Sequence, residues 1–459
     1  VEVNSKAPAD RSGQGPVKSL DRKLAEIRAD PSGPTFILAD AKDADMAYGV
    51  RASGPRYWLS AQGARPARFS PEVWTREEFG YRNLPEFLDI IREIVRQGVV
   101  DIMLMSPYVN DLLTIQEGLF RNSPVTPAAR ANDTTDIWAV RHGCYTAEPS
   151  RPFRTASIDQ IQCGRVECDR GGTDPDFPGA NLGLYSLTFL NDPDRDREML
   201  LAYKAFREEA ERKGFRHFLE VFDPNVPTGL SPEKLGEFIN DQILRTLAGV
   251  PEAGRPLFLK IVYHGPRALE ELVQYDPRMI VGILGGSAGT TYDAFLLLHE
   301  AQRHGARVAL YGRKINHAEH QLAFIEMLRL ITEGRIGPEE AVRAYHGVLE
   351  ALRIRPRRTL EEDLQLTDPV LRADRTGRRR AMWEVHDPDP TGTGVKRGEL
   401  LGGDKTAAAT GPGASGDSTV AATAPATARG SKPVDFDCMT PEQRRDYHLE
   451  RLRRRYGGG

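Results

Sequence analysis

The sequence predicts a (β/α)8 TIM barrel carrying long loop insertions. Apolar runs of strand length alternate with amphipathic helical stretches, eight such runs occur, and they occupy about 300 residues, the usual span of this barrel. Most of the runs are continuously apolar, as parallel strands covered on both faces require. A doubly wound open sheet is the main rival for such alternation. It is set aside because no Gly-rich fingerprint follows the first run and because the strand count reaches eight.

Taken in order, residues 1–33 are a lead-in with a short helix. Residues 1–17 are rich in Pro, Gly, Ser and charge, and 19–30 (SLDRKLAEIRAD) set apolar residues at helical spacing behind Ser19, a suitable cap. The barrel is expected over 34–368. Its strands are 35–39 (TFILA), 100–105 (VDIMLM), 136–140 (DIWAV), 184–190 (LYSLTFL), 217–222 (HFLEVF), 256–262 (PLFLKIV), 279–284 (MIVGIL) and 307–311 (RVALY). Helices over 84–97, 196–213, 231–248, 268–275 and 291–304 precede strands two, five, six, seven and eight, and 317–332 follows the last. Insertions at 51–75 and 143–181 fall on loops at or near the active face. Trp58 and Trp74, in the first insertion, are read as core packing, against a lid or a protein contact.

Residues 369–434 are an extension and low-complexity linker. After Leu401 the text has almost no large apolar residue and cannot bury enough surface to offset the entropy of ordering. Residues 435–459 read as a short basic amphipathic helix. Thr440 is the cap, Pro441 stands at the first helical position, and Leu449, Leu452 and Tyr456 share a face. The segment 440–456 is a solvated helix or, tethered by the linker, a docking helix for a partner protein or an anionic surface. The basic run Arg378–Arg380 is a solvated face or part of the same function.

Composition narrows the function classes. Hydrophobic residues make up 40% and charged residues 28%, which fits a folded chain. The 62 basic and 65 acidic residues leave a net charge of −3, so no whole-protein nucleic-acid footprint is expected. Four cysteines exclude a disulfide scaffold and fit a reducing compartment. There is no run of about 18 apolar residues to span a membrane. The first thirty residues carry no apolar secretory core. A cytoplasmic protein with no membrane partner is the expectation.

In a barrel the chemistry sits at the C-terminal ends of the strands. Those ends offer Asp40 and Asp43 after strand one, Ser106-Pro107-Tyr108 after strand two, and Arg141-His142 after strand three. Glu220 and Asp223 come with strand five, and Lys260 with strand six, followed by His264. Gly285-Gly286-Ser287 follows strand seven, and Gly312-Arg313-Lys314 follows strand eight. Lys260 lies within a buried strand, where a charge is costly unless paired. One reading is a neutral amine that attacks carbonyls. The other is an ion pair with a carboxylate such as Glu220. The Gly-Gly-Ser turn leads into a helix, whose N-terminus favours an anion. Arg313 on the next loop offers a bidentate fork. Loops seven and eight are the usual phosphate site of this barrel.

At these residues the chain resembles the class I, Schiff-base aldolases, in particular the archaeal-type fructose-bisphosphate aldolases and their tagatose-bisphosphate and deoxyribose-phosphate relatives. LFLKIVYHG, VGILGGSAGT and ARVALYGRKI on strands six, seven and eight carry the resemblance, with FLEVF and FILADAKDAD matching more loosely. It covers about residues 35–332. It implies a lyase of carbohydrate metabolism that needs no cofactor or metal, acts on a small phosphorylated carbonyl compound, and forms a homo-oligomer. It further implies imine formation at Lys260, a general acid/base or orienting role for Glu220, and a strand-one carboxylate at Asp40 or Asp43. Phosphate binding falls to Gly285, Gly286, Ser287, Gly312 and Arg313. The chain departs from the family in having no lysine in strand four (LYSLTFLND), so that Tyr185 or Tyr108 becomes a candidate acid. It departs again in reading ADAKDAD where close relatives have Asp-His-Gly. An altered barrel serving as an interaction module through its C-terminal helix is the alternative function.

Two further constellations stand beside these. His317 and His320, with His264, form a candidate metal set, against surface histidines. Cys163 and Cys168 read as half of a zinc knuckle without its second pair.

Overall fold

The computed structural model describes residues 17–43, 51–52, 56–60, 63–67, 80–140, 142–168, 177–285 and 289–375. The linker, the segment 440–456, Arg378–Arg380, Arg141, Trp74, Gly286 and Ser287 lie outside the described residues.

Eight parallel strands close into a barrel, confirming the expected fold. They are β1 (Ile37–Lys42), β2 (Ile102–Met105), β3 (Thr126–Arg130), β4 (Leu182–Thr188), β5 (Arg216–Phe222), β6 (Leu259–Ile261), β7 (Val281–Leu284) and β8 (Val308–Tyr311). Each pairs with its sequence neighbours, and β8 closes on β1 through Ile37↔Val308 and Asp40↔Tyr311. Helices Leu84–Gln97, Pro193–Lys213, Pro232–Ala248, Pro266–Tyr275 and Thr291–Arg303 fall where the pattern puts them, within a few residues.

Two apolar layers follow from the two-residue period of a strand. Ile37, Ala39, Ile102, Leu104, Leu184, Phe218 and Leu310 fill the lumen. Leu20, Leu24 and Ile27 of the helix Ser19–Ala29 join this lumen cluster, so the first helix plugs one end of the barrel. The alternate residues, among them Leu38, Met103, Leu219, Leu259 and Ile283, belong to the outer layer beneath the helices.

One strand differs from the sequence expectation. The third strand is TPAAR, residues 126–130, seated between β2 and β4. Residues 136–140 are turn and irregular chain, with Trp138 packed edge-on against Phe153 at 5.0 Å. Proline and two alanines give β3 little hydrophobic signal; Ala128 takes the lumen face beside Phe218, Phe258 and Leu184, and Ala129 takes the outer face. The bulky DIWAV run packs within the insertion instead. His142 therefore does not end a barrel strand. It is exposed, with a left-handed φ of 66°.

Two smaller shifts have local causes. Lys18, not Ser19, is the N-cap of the first helix, and the Ser19 N–H donates to Pro124 O at 2.9 Å. After β8 a five-residue helix, Arg313–His317, precedes Gln321–Thr332, and His320 caps the latter by accepting from the Ala323 N–H through Nδ1 at 3.1 Å.

Candidate active site

Register builds the site. Ser186, Glu220 and Lys260 are Cα partners on β4, β5 and β6, and their parity is that of the lumen residues Leu184, Phe218 and Phe258. Their side chains therefore share the lumen face near the C-terminal ends of the strands. Gly282, the β7 partner of Lys260, adds no side chain. A Cβ there would lie 2.7 Å from both Leu259 O and Val308 Cβ.

Lys260 Nζ stands 2.5 Å from Glu220 Oε1, and the two side chains are 7% and 1% exposed. This is the ion-pair arrangement of the two readings of Lys260. Glu220 Oε2 accepts from Ser186 Oγ at 2.7 Å and lies 3.8 Å from Arg130 Nη2. Arg130 ends β3. Its Nε donates to Asp43 Oδ2 at 2.6 Å, and its Nη1 donates to Ser186 Oγ at 3.2 Å and to Asn132 O at 3.3 Å. Asn132 braces the Ser186 backbone from both sides, accepting at 2.6 Å and donating at 3.0 Å. Burial works against the Arg130 charge, but Asp43, Glu220 and Asp133 outweigh it and raise its proton affinity. Burial also lifts the Asp133 carboxyl, against the pull of Arg130.

Asp43 reaches this group, and Asp40 does not. β1 runs to Lys42, beyond the expected end at residue 39, and Asp40 lies one residue out of phase with the lumen residues Ile37 and Ala39. It points to the outer layer, where Lys42 Nζ donates to its Oδ1 at 2.8 Å and stands 2.8 Å from Oδ2. Both side chains are fully buried. Burial drives the Asp40 carboxyl up and the Lys42 amine down, each opposed by the charge of the other.

The two phenols stand in different settings. Tyr185 faces the outer layer, stacked on Phe206 at 4.5 Å, and burial pushes its phenol up. Tyr108 is exposed on the short helix Pro107–Asn110.

Around the expected anion cradle, Gly285 and Gly312 sit where loops seven and eight begin. A Cβ on Gly285 would run into the Tyr311 ring, and one on Gly312 would lie 3.0 Å from Ala41 O, so close packing already requires both glycines. Arg313 is exposed. Lys314 instead turns back to loop seven and donates to Gly289 O at 2.8 Å; desolvation takes its amine down to about 8. The helix Thr291–Arg303 receives carboxylates from its own chain. Asp293 completes a capping box with Thr290, and the Thr291 N–H donates to Asp363 Oδ1 at 2.8 Å.

The other constellations resolve differently. His264 pairs with Asp223 at 2.9 Å, and among the described residues no three His, Cys, Asp or Glu groups are placed to hold a metal. Cys163 and Cys168 are bonded to each other, so this pair is a disulfide and not half of a zinc knuckle.

Arg130, Ser186 and Asn132 are the site residues that sequence reasoning missed. The readable signal was TPAARAND, a short small-residue strand ending in arginine, eclipsed by the louder aromatic run after it.

The fold and site define a (β/α)8 barrel whose C-terminal mouth holds a buried lysine–glutamate pair. No protein-family model matches the chain, and no curated protein matches it. Solved structures do. The chain is similar to an archaeal fructose 1,6-bisphosphate aldolase at 13% identity, over 68% of this chain and 99% of that one, with a TM-score of 0.43. It is similar to the fructose-bisphosphate aldolase of Slackia heliotrinireducens at 14% identity, over 75% and 94%, with a TM-score of 0.47. It is also similar to the N-acetylneuraminate lyase of Fusobacterium nucleatum at 13% identity, over 70% and 84%, with a TM-score of 0.34. No helix among the described residues is long and apolar enough to cross a membrane.

Proposed function

We propose that the protein is an aldolase-type lyase that makes and breaks a carbon–carbon bond of a phosphorylated sugar or related carbonyl compound through an imine on Lys260. The observation that carries this reading is the placement of Lys260 on the lumen face near the C-terminal ends of the strands, with Glu220 Oε1 2.5 Å from Nζ as its proton acceptor. Lys260 passes a proton to Glu220, and the freed amine attacks the carbonyl carbon. Glu220 returns that proton to the alkoxide oxygen, then takes a second from the carbinolamine nitrogen and passes it to the same oxygen, which leaves as water while the nitrogen lone pair forms the iminium. Glu220, again a carboxylate, takes the proton of the β-hydroxyl, the bond between the α and β carbons breaks to release an aldehyde, and its electron pair passes through the new enamine double bond to the iminium nitrogen. Asp43, on the lumen side of strand one, is the carboxylate assigned to hold substrate hydroxyls. The beginnings of loops seven and eight, at Gly285 and Gly312, are assigned to the phosphate end, with Gly286, Ser287, Arg313 and Lys314 beside them.

The test is borohydride trapping with a panel of ketose and aldehyde phosphates, followed by peptide mass spectrometry. A reduced adduct on Lys260, absent from Lys260→Ala, is the expected result. If no carbonyl in the panel gives an adduct, the Schiff-base reading falls and the interaction-module reading takes its place.

A further inference from the structure

The hydrogen bonds on the lumen face have a direction set by the chemistry of their donors. An arginine side chain only donates, and a serine hydroxyl has one proton to give. Arg130 Nη1 donates to Ser186 Oγ at 3.2 Å, so the hydroxyl accepts there and its own proton goes to Glu220 Oε2 at 2.7 Å. Glu220 Oε2 must then be an acceptor. The other oxygen, Oε1, is the one 2.5 Å from Lys260. Arg130 is itself anchored, by Asp43 through Nε and by the Asn132 carbonyl through Nη1.

We propose that Arg130 is a positioning residue that, through Ser186, reserves Glu220 Oε2 as an acceptor, so that Lys260 exchanges its proton with Oε1 alone. The proposal rests on the Schiff-base reading for its catalytic meaning. Its physical content, a directed chain from Asp43 across β3, β4 and β5 to Lys260 on β6, stands apart from that reading. Among the described residues, the charged groups that face the Glu220–Lys260 pair are Arg130 from β3 and, across Arg130, Asp43 after β1 and Asp133 after β3.

Removing the Arg130 cation makes the pair hold its last proton more tightly, which moves the acid limb of Lys260 reactivity upward. The experiment is competitive labelling of the full chain with acetic anhydride across pH, read at the Lys260 peptide. In Arg130→Met the midpoint of Lys260 labelling is expected at least one pH unit above wild type, and Arg130→Lys should bring it back most of the way. If Arg130→Met does not fold, Ser186→Ala carries the test, with a smaller shift in the same direction. A labelling midpoint unchanged in a folded variant overturns the proposal, since a packing role would lower stability without moving it. Trapping of wild type with dihydroxyacetone phosphate and borohydride runs alongside. No adduct there, with the labelling shift intact, would sink the Schiff-base reading and leave the positioning role in place.

Discussion

The Asp40–Lys42 pair gives the sharpest stability test. Both side chains are fully buried on the outer face of β1, with Nζ 2.8 Å from each carboxylate oxygen. Lys42→Met leaves a carboxylate without solvent or partner, and Asp40→Val strands an ammonium in the same way. Breaking a buried pair from one side costs about 3–5 kcal/mol, whereas replacing both members with apolar groups of similar size is often neutral or better. Each single variant should therefore lower the thermal midpoint by on the order of 10 °C. The double variant Asp40→Val/Lys42→Met should recover most of that loss, a non-additivity that reports direct contact. Circular dichroism melts of the four proteins measure it. If the single variants melt with wild type, or if their losses simply add, the buried pair is not there. Borohydride trapping on the double variant supplies the second half of the test. A well-folded double variant that no longer forms the Lys260 adduct would place Asp40 in the chemistry and refute its assignment to the outer layer.

Two further perturbations follow from buried titratable groups away from the mouth. Asp101 is contacted by Lys23 and Arg329 at 2.8 and 2.7 Å; burial would raise its carboxyl, but the two cations overcome that and hold it below its usual range. Its stabilisation is thus present above the unfolded value near pH ~3.9 and lost as pH falls through the lower folded value. Asp101→Asn should cost about 3 kcal/mol at neutral pH and flatten acid unfolding below about pH 4. His217 sits beside the Tyr203 hydroxyl at 3.0 Å, and desolvation takes its imidazole down to about 3. The unfolded chain binds that proton first, so stability should fall by ~1.4 kcal/mol per pH unit from about 6.5 downward. His217→Phe should remove that slope in urea titrations, and an unchanged slope would contradict the burial of a neutral ring.

Much of the architecture was legible in the sequence. Seven of the eight strands and the main helices stand at their expected positions, because a continuous apolar run of strand length has few other homes in a chain of alternating elements. The contact between Lys260 and Glu220 was open to inference for the same reason: adjacent parallel strands with matched parity bring their side chains together. The third strand was not legible. TPAAR buries little apolar area per residue, and only closure of the barrel between β2 and β4 assigns it a place.

The sequence by itself determined the barrel, the strand that carries Lys260 and the strand that carries its carboxylate partner, because hydrophobic runs and their spacing report burial. Only the tertiary structure decided which face each polar side chain takes. Strand parity changes with every residue, so of the two strand-one candidates Asp43 reaches Arg130 on the lumen face and Asp40 pairs with Lys42 on the outer face. The same is true of Arg130, which enters the site because a strand with no loud signal must fill the gap that closes the barrel.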